Sequence, residues 1–176
     1  GNVCSSPNKS SDEFLALAYY AEKKLPVIIA RYFNTIGPGQ LGDYGMVVPI
    51  FIQKALSGDD IPVFGDGNQK RSFGYVGDIV KCTMKLVEQE ESLGEVFNIG
   101  NSSEITINEL AEKVIKKTKS SSKIKYIPYD EAYGEGFEDM KRRKPNTSKL
   151  ENTIGFKPNI GIDQILDEMI EYFKSN

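Results

Sequence analysis

"VIIARYF", residues 27–33, is the stretch of this sequence that decides the fold. Apart from one arginine, its residues are apolar or aromatic, and β-branched residues are prominent among them. A continuous apolar run of this length is typical of a strand that is buried on both faces. Strands of that kind occur in parallel sheets whose two faces are covered by helices. The stretch therefore predicts an α/β fold.

The residues ahead of this strand predict a helix. Ser10 and Glu13 have the S-x-x-E spacing of a capping box, in which each side chain bonds to a backbone N–H at the helix start. Phe14 and Leu17 then open an apolar pattern at helical spacing, which ends at Pro26. We expect a helix that begins at Ser10 and leads into the strand.

The residues after the strand predict alternating helices and short strands. In chain order we expect helices over 47–56, 78–88, 107–118, 148–153 and 162–173, and strands over 61–64, 71–76, 95–99 and 123–127. Thr106 is the expected N-cap of the helix over 107–118. Residues 129–146 show neither period and carry acidic residues first and basic residues last, so we expect a long functional or mobile loop there.

Length and composition indicate a globular chain. The 176 residues can bury a core of their own, either as one domain or as a piece of a larger one. No apolar run is long enough to span a membrane, so no membrane partner is expected. The N-terminus lacks the pattern of a signal peptide, which makes the cytoplasm the expected location. The net charge of -3 argues mildly against a nucleic-acid partner.

The residue types present restrict the chemistry. The chain has no histidine, which excludes Ser-His-Asp and Cys-His catalysis and most catalytic zinc sites. Cys4 and Cys82 are far apart and form no C-x-x-C motif, so we expect two free thiols. The acidic residues of the loop lack the spacing of a calcium site and are expected to be solvated; they are Asp130, Glu131, Glu135, Glu138 and Asp139. No metal site is predicted.

"GPGQLG", residues 37–42, matches the G-x-G-x-x-G pattern of dinucleotide-binding loops and follows a predicted strand. In that motif the third glycine packs into the first turn of a helix. Here three further residues intervene before any helical pattern, and no acidic residue stands where it would hold a ribose. We therefore interpret the segment as a plain glycine-rich loop.

Two sets of polar residues are candidates for ligand binding. Arg71, Arg142 and Arg143 lie in remote segments, and guanidinium groups that converge can bind a diphosphate through paired hydrogen bonds. The alternative is a solvated basic surface. Asn34 stands at the carboxyl end of the buried strand, where open α/β sheets bind their ligands, although an asparagine there can equally form a turn.

Five segments occur in an order that carries a resemblance to a known family. They are K-x-x-D-E at Lys9–Glu13, RYFNTIGPGQ at 31–40, VFGDGNQKRSFGYVGDI at 63–79, VFNIGNSSEITI at 96–107 and RRKPNTSKLENTIGFKP at 142–158. Together they resemble the C-terminal half of an extended short-chain dehydrogenase/reductase that acts on nucleotide sugars. The UDP-glucose 4-epimerase, UDP-glucuronate decarboxylase and dTDP-glucose 4,6-dehydratase groups are the most similar.

The resemblance implies an incomplete two-part architecture. Residues 1–45 would form the last helix and strand of a Rossmann-type NAD domain. Residues 46–176 would form mainly the smaller substrate-binding lobe, with some elements returning to the Rossmann sheet. The glycine fingerprint of the family would lie N-terminal to this segment.

The resemblance also implies a chemistry. In the family, NAD oxidises C4 of the sugar to a transient ketone and later returns the hydride, while a tyrosine four residues before a lysine moves the proton. Lys9 matches the lysine, and Ser5 stands at the tyrosine position. A serine hydroxyl without an activating base is a poor proton shuttle. Tyr32 would face the nicotinamide through its backbone.

Seven residues would contact the substrate by this resemblance. Asn34 and the backbone of Val47 would bind near the phosphates, Val63 and Phe64 would line the nucleobase, Gln69 would lie near the ribose, and Arg71 and Arg143 would clamp the pyrophosphate. Two positions depart from the family pattern. Asn146 replaces an aspartate near the ribose, and Gly77 replaces another aspartate at a helix start, where glycine can act as a cap.

We expect the chain to be the nucleotide-sugar-binding part of an NAD-dependent epimerase or dehydratase, with a UDP-sugar as the expected ligand. The chain by itself is expected to be inactive. The alternatives are a non-catalytic nucleotide-sugar-binding module and a truncated interaction fragment. The first helix corresponds to one that the family uses in dimerisation, so a homodimer through that helix is a further expectation.

Overall fold

A computed structural model describes residues 7–42, 46–133 and 139–175, without the side chains of residues 7–9 and 133. In these ranges the helices are α1 (Pro7–Lys23), α2 (Val47–Ser57), α3 (Val76–Val87), α4 (Ile107–Thr118), α5 (Tyr129–Tyr133), α6 (Ser148–Ile154) and α7 (Ile162–Ser175). The strands are β1 (Ile29–Tyr32), β2 (Thr35–Ile36), β3 (Ile61–Phe64), β4 (Lys70–Ser72), β5 (Gly74–Tyr75), β6 (Val96–Ile99), β7 (Glu104–Thr106), β8 (Ile124–Ile127) and β9 (Arg142–Arg143).

Parallel pairing dominates the sheets. β1 pairs with β6, β2 with β5 and β3 with β8, each in parallel. β4 lies between β7, to which it is antiparallel, and β9, to which it is parallel. The α/β fold and the parallel strand expected within residues 27–33 are therefore confirmed. The expected burial of that strand on both faces is wrong for this chain, because Ile29 and Ala30 are half-buried and Arg31 and Tyr32 are exposed. The β1–β6 pair crosses the boundary predicted at residue 45, and the division into two domains stays a prediction.

The buried apolar side chains form two clusters. The larger one packs α2, α4 and α7 against β3 and includes Phe51, Leu110 and Met169. The smaller one packs α3 and α6 against β6 around Phe97 and Leu150. Burial of each of these side chains contributes about 1.5 to 3 kcal/mol to the stability of the fold.

Two helix starts show how local signals compare with the structure. α1 begins at Pro7, so the capping box predicted at Ser10 is wrong: Ser10 lies inside the helix. Proline suits a first helical turn because its missing N–H would have no partner there. The predicted cap of α4 is confirmed, because the Thr106 side chain accepts a hydrogen bond from the Glu109 N–H and Glu109 bonds back to the Thr106 N–H.

Three further predictions need correction. Residues 129–146 are not wholly irregular, since α5 lies at their start and β9 pairs with β4 near their end. The strand predicted over 71–76 is divided into β4 and β5, because the chain changes sheet between them. Gly77 is the second residue of α3 and Tyr75 is the N-cap, so Gly77 does not cap that helix.

The described ranges contain no helix long and apolar enough to cross a bilayer. They also contain no group of three acidic or cysteine side chains placed to hold a metal ion. Cys82 is a free thiol in this part of the chain, and burial, followed by the charge of Asp78, raises its pKa to about 11. Cys4 lies outside the described residues.

Candidate nucleotide-binding site

The central strand β4 brings two predicted site residues together. Arg71 of β4 is the register partner of Arg143 on the neighbouring strand β9. Register partners on adjacent strands project from the same face of a sheet. Arg142 therefore projects from the opposite face, where its guanidinium forms paired hydrogen bonds of 2.7 and 2.6 Å with Glu104 of β7. Of the three arginines considered from the sequence, Arg71 and Arg143 thus lie on one face of the sheet and are called the arginine pair below.

Arg71 is held by its surroundings. Its side chain is only 14% exposed, and its Nη2 lies 2.6 Å from Oδ2 of Asp139. Nη1 donates to the carbonyl oxygens of Lys70 and Met140, each at 2.8 Å. Such a set of bonds fixes the plane of the guanidinium group, which is the part that recognises a phosphate.

Gln69 and Tyr129 extend this network towards the end of β3. Gln69 Nε2 donates to the carbonyl of Phe64 at 3.1 Å and to the Tyr129 hydroxyl at 3.0 Å. The Tyr129 hydroxyl in turn donates to Asp139 at 3.3 Å. Burial and then the charge of Asp139 raise the pKa of Tyr129 to about 12, so its hydroxyl keeps its proton near neutral pH.

Gln69 also carries a buried acceptor. Its Oε1 is enclosed and has no hydrogen-bond partner among the described residues. Buried polar atoms normally have a partner, and an exception commonly marks a place where a water or a ligand binds. This oxygen is the right kind of group to accept a hydrogen bond from a ribose hydroxyl.

Asn34 lies next to the arginine pair. Its side-chain amide donates to the carbonyl of Ser72 at 3.0 Å, and its own carbonyl accepts from the N–H of Gly74 at 2.9 Å. Ser72 follows Arg71 in β4. Asn34, which was predicted to bind a ligand from its place after β1, is thus hydrogen-bonded to the strand that carries Arg71.

The start of α2 is linked to the segment that carries Asn34. Val47 is its first residue, and among the described residues no side chain caps this end of the helix. Gln40 links the helix start to the residue after Asn34, because its Nε2 donates to the Thr35 carbonyl at 3.3 Å and contacts Met46 Sδ at 3.6 Å. Uncapped N–H groups at a helix start attract anions such as phosphate.

The two residues predicted to line a nucleobase differ in their environment. The side chain of Val63 is completely buried in the larger apolar cluster, so it can offer only backbone atoms to a ligand. Phe64 is half-buried, and its carbonyl already accepts from Gln69. Asn146 caps a turn: its Oδ1 accepts from the N–H of Ser148 at 3.1 Å.

The predicted cofactor residues stay a prediction. Tyr32 is half-exposed, and its hydroxyl forms a 3.1 Å hydrogen bond with Thr83. Lys9 lies on α1, but its side chain is not among those described. Ser5 lies wholly outside the described residues. The loop over 37–42 ends in a bend, and α2 begins only at Val47. The interpretation of this segment as a plain loop stays a prediction.

Sequence reasoning missed two members of this site. Asp139 was expected to be solvated, which is wrong, because its carboxylate is paired with Arg71. Tyr129 was assigned to a loop, whereas it begins α5 and bonds to both Gln69 and Asp139. The change from acidic to basic residues along 129–146 was the only signal, and it does not identify which charges meet.

The chain is similar to a known family and to individual proteins. Residues 5–169 match the model described as GDP-mannose 4,6 dehydratase. The UDP-N-acetyl-alpha-D-glucosaminuronate decarboxylase of Bacillus cytotoxicus is 43% identical over 167 residues, which cover 94% of this chain and 51% of that protein.

Two solved structures share the fold over nearly all of this chain. The UDP-glucose 4-epimerase of Thermotoga maritima, solved with UDP-glucose, has a TM-score of 0.84 at 30% identity. The match covers 95% of this chain and 52% of the epimerase chain. The UDP-glucuronic acid 4-epimerase of Bacillus cereus, solved with UDP-glucuronic acid and NAD, has a TM-score of 0.83 at 26% identity, with coverages of 95% and 51%. The chain thus spans about half the length of these proteins.

Proposed function

Because the chain belongs to the GDP-mannose 4,6 dehydratase family of nucleotide-sugar enzymes, we propose that it binds the nucleotide diphosphate part of a UDP-sugar. It would do so as the substrate-binding part of an NAD-dependent epimerase, dehydratase or decarboxylase that acts through a transient 4-keto sugar. The observation that carries this proposal is the register pairing of Arg71 with Arg143.

The neighbours of the arginine pair support the same ligand. Two guanidinium groups on one face match the charge and the planar oxygen pairs of a diphosphate. The start of α2 at Val47 and the Asn34 amide add backbone and side-chain donors beside them. Gln69 offers a buried acceptor on the side of β3, where the ribose of the nucleotide would lie.

We assign no NAD site to the described residues by themselves. The described helix that follows the glycine loop over 37–42 begins at Val47. We therefore do not assign to this loop the cradle of backbone N–H groups that holds a dinucleotide pyrophosphate. NAD is a cofactor of the family. We assign no step of NAD chemistry to the residues of this chain.

Calorimetric titration of the purified chain with UDP, UDP-glucuronic acid and NAD tests the proposal. We expect the two uridine ligands to bind and NAD to give no signal. Arg143→Gln should weaken UDP binding by roughly tenfold or more, the scale of a lost hydrogen bond between charged groups.

Arg142→Gln is the matched control for this experiment. It removes the same charge from the same strand, but Arg142 projects from the opposite face and pairs with Glu104. UDP affinity should change little in this variant. Absence of UDP binding by the folded wild-type chain, or an equal loss in both variants, would contradict the proposal.

A non-catalytic binding module is the second candidate function, and Ser5 favours it. In the resemblance described above, Ser5 stands where the family has its proton-transferring tyrosine. Such a module would bind UDP-sugars through the same arginine pair and would convert none of them. Conversion of UDP-glucuronic acid by the chain in the presence of NAD, detected by chromatography of the nucleotide sugars, would exclude the non-catalytic module.

We also propose that α1 mediates a homodimer. Phe14 is 74% exposed and Leu15 is 58% exposed, so this helix presents apolar surface to its surroundings. Such surface is often covered by a protein partner. Sedimentation velocity should show a dimer whose dissociation constant rises in Phe14→Ser. A monomer at every concentration would exclude this assembly for the chain as given.

A further inference from the structure

Asp139 is bonded to the guanidinium group of Arg71, which the proposed function assigns to a phosphate of the ligand. Its Oδ2 lies 2.6 Å from Nη2 of Arg71, and the side chains of Asp139 and Arg71 are 29% and 14% exposed. The other ion pairs of arginine in the described residues, Arg31 with Glu13 and Arg142 with Glu104, involve exposed arginines. An ion pair shielded from water is less weakened by salt and solvent than those at the surface.

The hydrogen-bond donors of Arg71 are already largely engaged. A guanidinium group has five N–H donors. Nη1 donates to the carbonyls of Lys70 and Met140, and Nη2 donates to Asp139. The end of the group formed by Nη1 and Nη2 therefore has no pair of parallel N–H bonds to offer to a phosphate while Asp139 remains in place.

Charge leads to the same conclusion. Asp139 neutralises Arg71 at a distance of 2.6 Å. A diphosphate bound to the same guanidinium would lie within a few ångströms of the Asp139 carboxylate, and two anions at that separation repel each other strongly in a site with little water. Tyr129 donates to the same carboxylate oxygen and helps to hold it against Arg71.

We propose that Asp139 is an internal anion that competes for Arg71 and that a nucleotide diphosphate must displace when it binds. This inference rests on the proposed function and adds to it a residue that determines affinity. Asp139 lies ahead of β9, whose Arg143 is the second member of the arginine pair. Displacement of Asp139 would leave both guanidinium groups available to one ligand.

Asp139→Asn tests this inference by UDP titration. The substitution removes the negative charge and keeps the size of the side chain. We expect UDP to bind roughly tenfold more tightly, the scale of one hydrogen bond between charged groups. Tyr129→Phe removes one hydrogen bond to Asp139 and should strengthen UDP binding by a smaller factor in the same direction.

Glu131→Gln is the matched control, because Glu131 is exposed on α5 and loses the same charge. Its UDP affinity should stay within about twofold of the wild type, since an exposed charge is screened by salt. In an Arg71→Gln background, Asp139→Asn should give no gain, because the group for which the carboxylate competes is gone.

Three results would overturn the inference. UDP affinity that is unchanged or lower in folded Asp139→Asn would show that the carboxylate does not compete. A gain that persists in the Arg71→Gln background, or that Glu131→Gln reproduces, would show a general effect of charge. If neither the wild type nor Asp139→Asn binds UDP, the proposed function fails and this inference fails with it, whereas binding without a gain refutes the inference alone.

Discussion

Arg71 and Arg143 are register partners on β4 and β9, although they lie in remote segments of the sequence. Their side chains project from one face of the sheet, on which Arg71 is half-buried and bonded to Asp139. This juxtaposition makes the pair a candidate for binding one diphosphate group.

The first prediction concerns the coupling of these two arginines. We expect the losses of UDP affinity in Arg71→Gln and Arg143→Gln to be non-additive in the double variant, because both side chains would contact one ligand. Titrations of the wild type, both single variants and the double variant give the coupling free energy. Wild-type affinity should also fall as salt is added, since salt screens charge pairs. Strict additivity would mean that the two arginines act on separate ligands or on none.

The second prediction concerns Gly65, which has a φ of 71°. A Cβ at this position would overlap the ring of Tyr129. Gly65→Ala therefore combines left-handed backbone strain with a steric clash, and we expect it to lower the free energy of unfolding by about 2 to 4 kcal/mol.

Gly58→Ala is the control for Gly65→Ala. Gly58 has a φ of 74°, and a Cβ there would meet no heavy atom within 4 Å. Only the backbone strain applies, so the cost should be about 1 to 2 kcal/mol. Urea denaturation measures both values. Equal costs would show that the Tyr129 ring moves aside freely.

The third prediction concerns Asp78 at the start of α3. Its Oδ2 accepts hydrogen bonds from the backbone N–H groups of Asn159 and Ile160 at 3.0 and 3.1 Å, and the side chain is buried. Asp78→Ala leaves both N–H groups without that acceptor and should destabilise the chain by about 2 to 4 kcal/mol.

Two comparison variants accompany Asp78→Ala in thermal or urea denaturation. Asp78→Asn retains an oxygen acceptor at nearly the same place and should cost less than alanine. Asp12 is exposed on α1, so Asp12→Ala should leave stability within about 0.5 kcal/mol of the wild type. A similar cost for Asp78→Ala and Asp12→Ala would contradict the structural role of the Asp78 carboxylate.

The fourth prediction concerns pH and Cys82. Burial raises the pKa of this thiol from about 9 to about 11. Between these values the unfolded chain releases the thiol proton while the folded chain keeps it, so stability falls as pH rises. Below about pH 9 both states hold the proton, and the thiol then contributes no pH dependence.

Urea denaturation at a series of pH values tests this prediction. Cys82→Ala should show a smaller decline of stability from pH 9 to 11 than the wild type, although Tyr129 contributes to the decline in both. In a Cys4→Ser background, alkylation of the native thiol should be slow near pH 9. Identical pH dependence in the two proteins would show that Cys82 titrates normally.

Local sequence patterns predicted many of the helices and strands because neighbouring residues determine these elements. β3 spans the residues expected from its apolar run, and the capping box of α4 is present at Thr106. Hydrophobic period and capping chemistry involve residues within a few positions of one another. The start of α1 was predicted wrongly because Ser10 and Glu13 have the same spacing inside a helix as at its cap.

The candidate site was predicted only as separate residues. Their identities, and the expectation that Arg71 and Arg143 act together, came from the resemblance to a family. The sequence offered no means of telling that these arginines are strand neighbours or that Asp139 binds Arg71. It also did not show that the side chain of Val63 is enclosed in the core. Each of these facts depends on which strand lies beside which.

By itself, the sequence determined the α/β class, the parallel strand within 27–33 and the relation to nucleotide-sugar enzymes. Only the tertiary structure decided that β9 pairs with β4, that Asp139 neutralises Arg71 and that Tyr129 joins Gln69 to this pair. The physical reason is the range of the forces involved. Helix and strand signals arise from neighbouring residues, whereas strand pairing and buried ion pairs form between remote segments whose meeting requires the packed core.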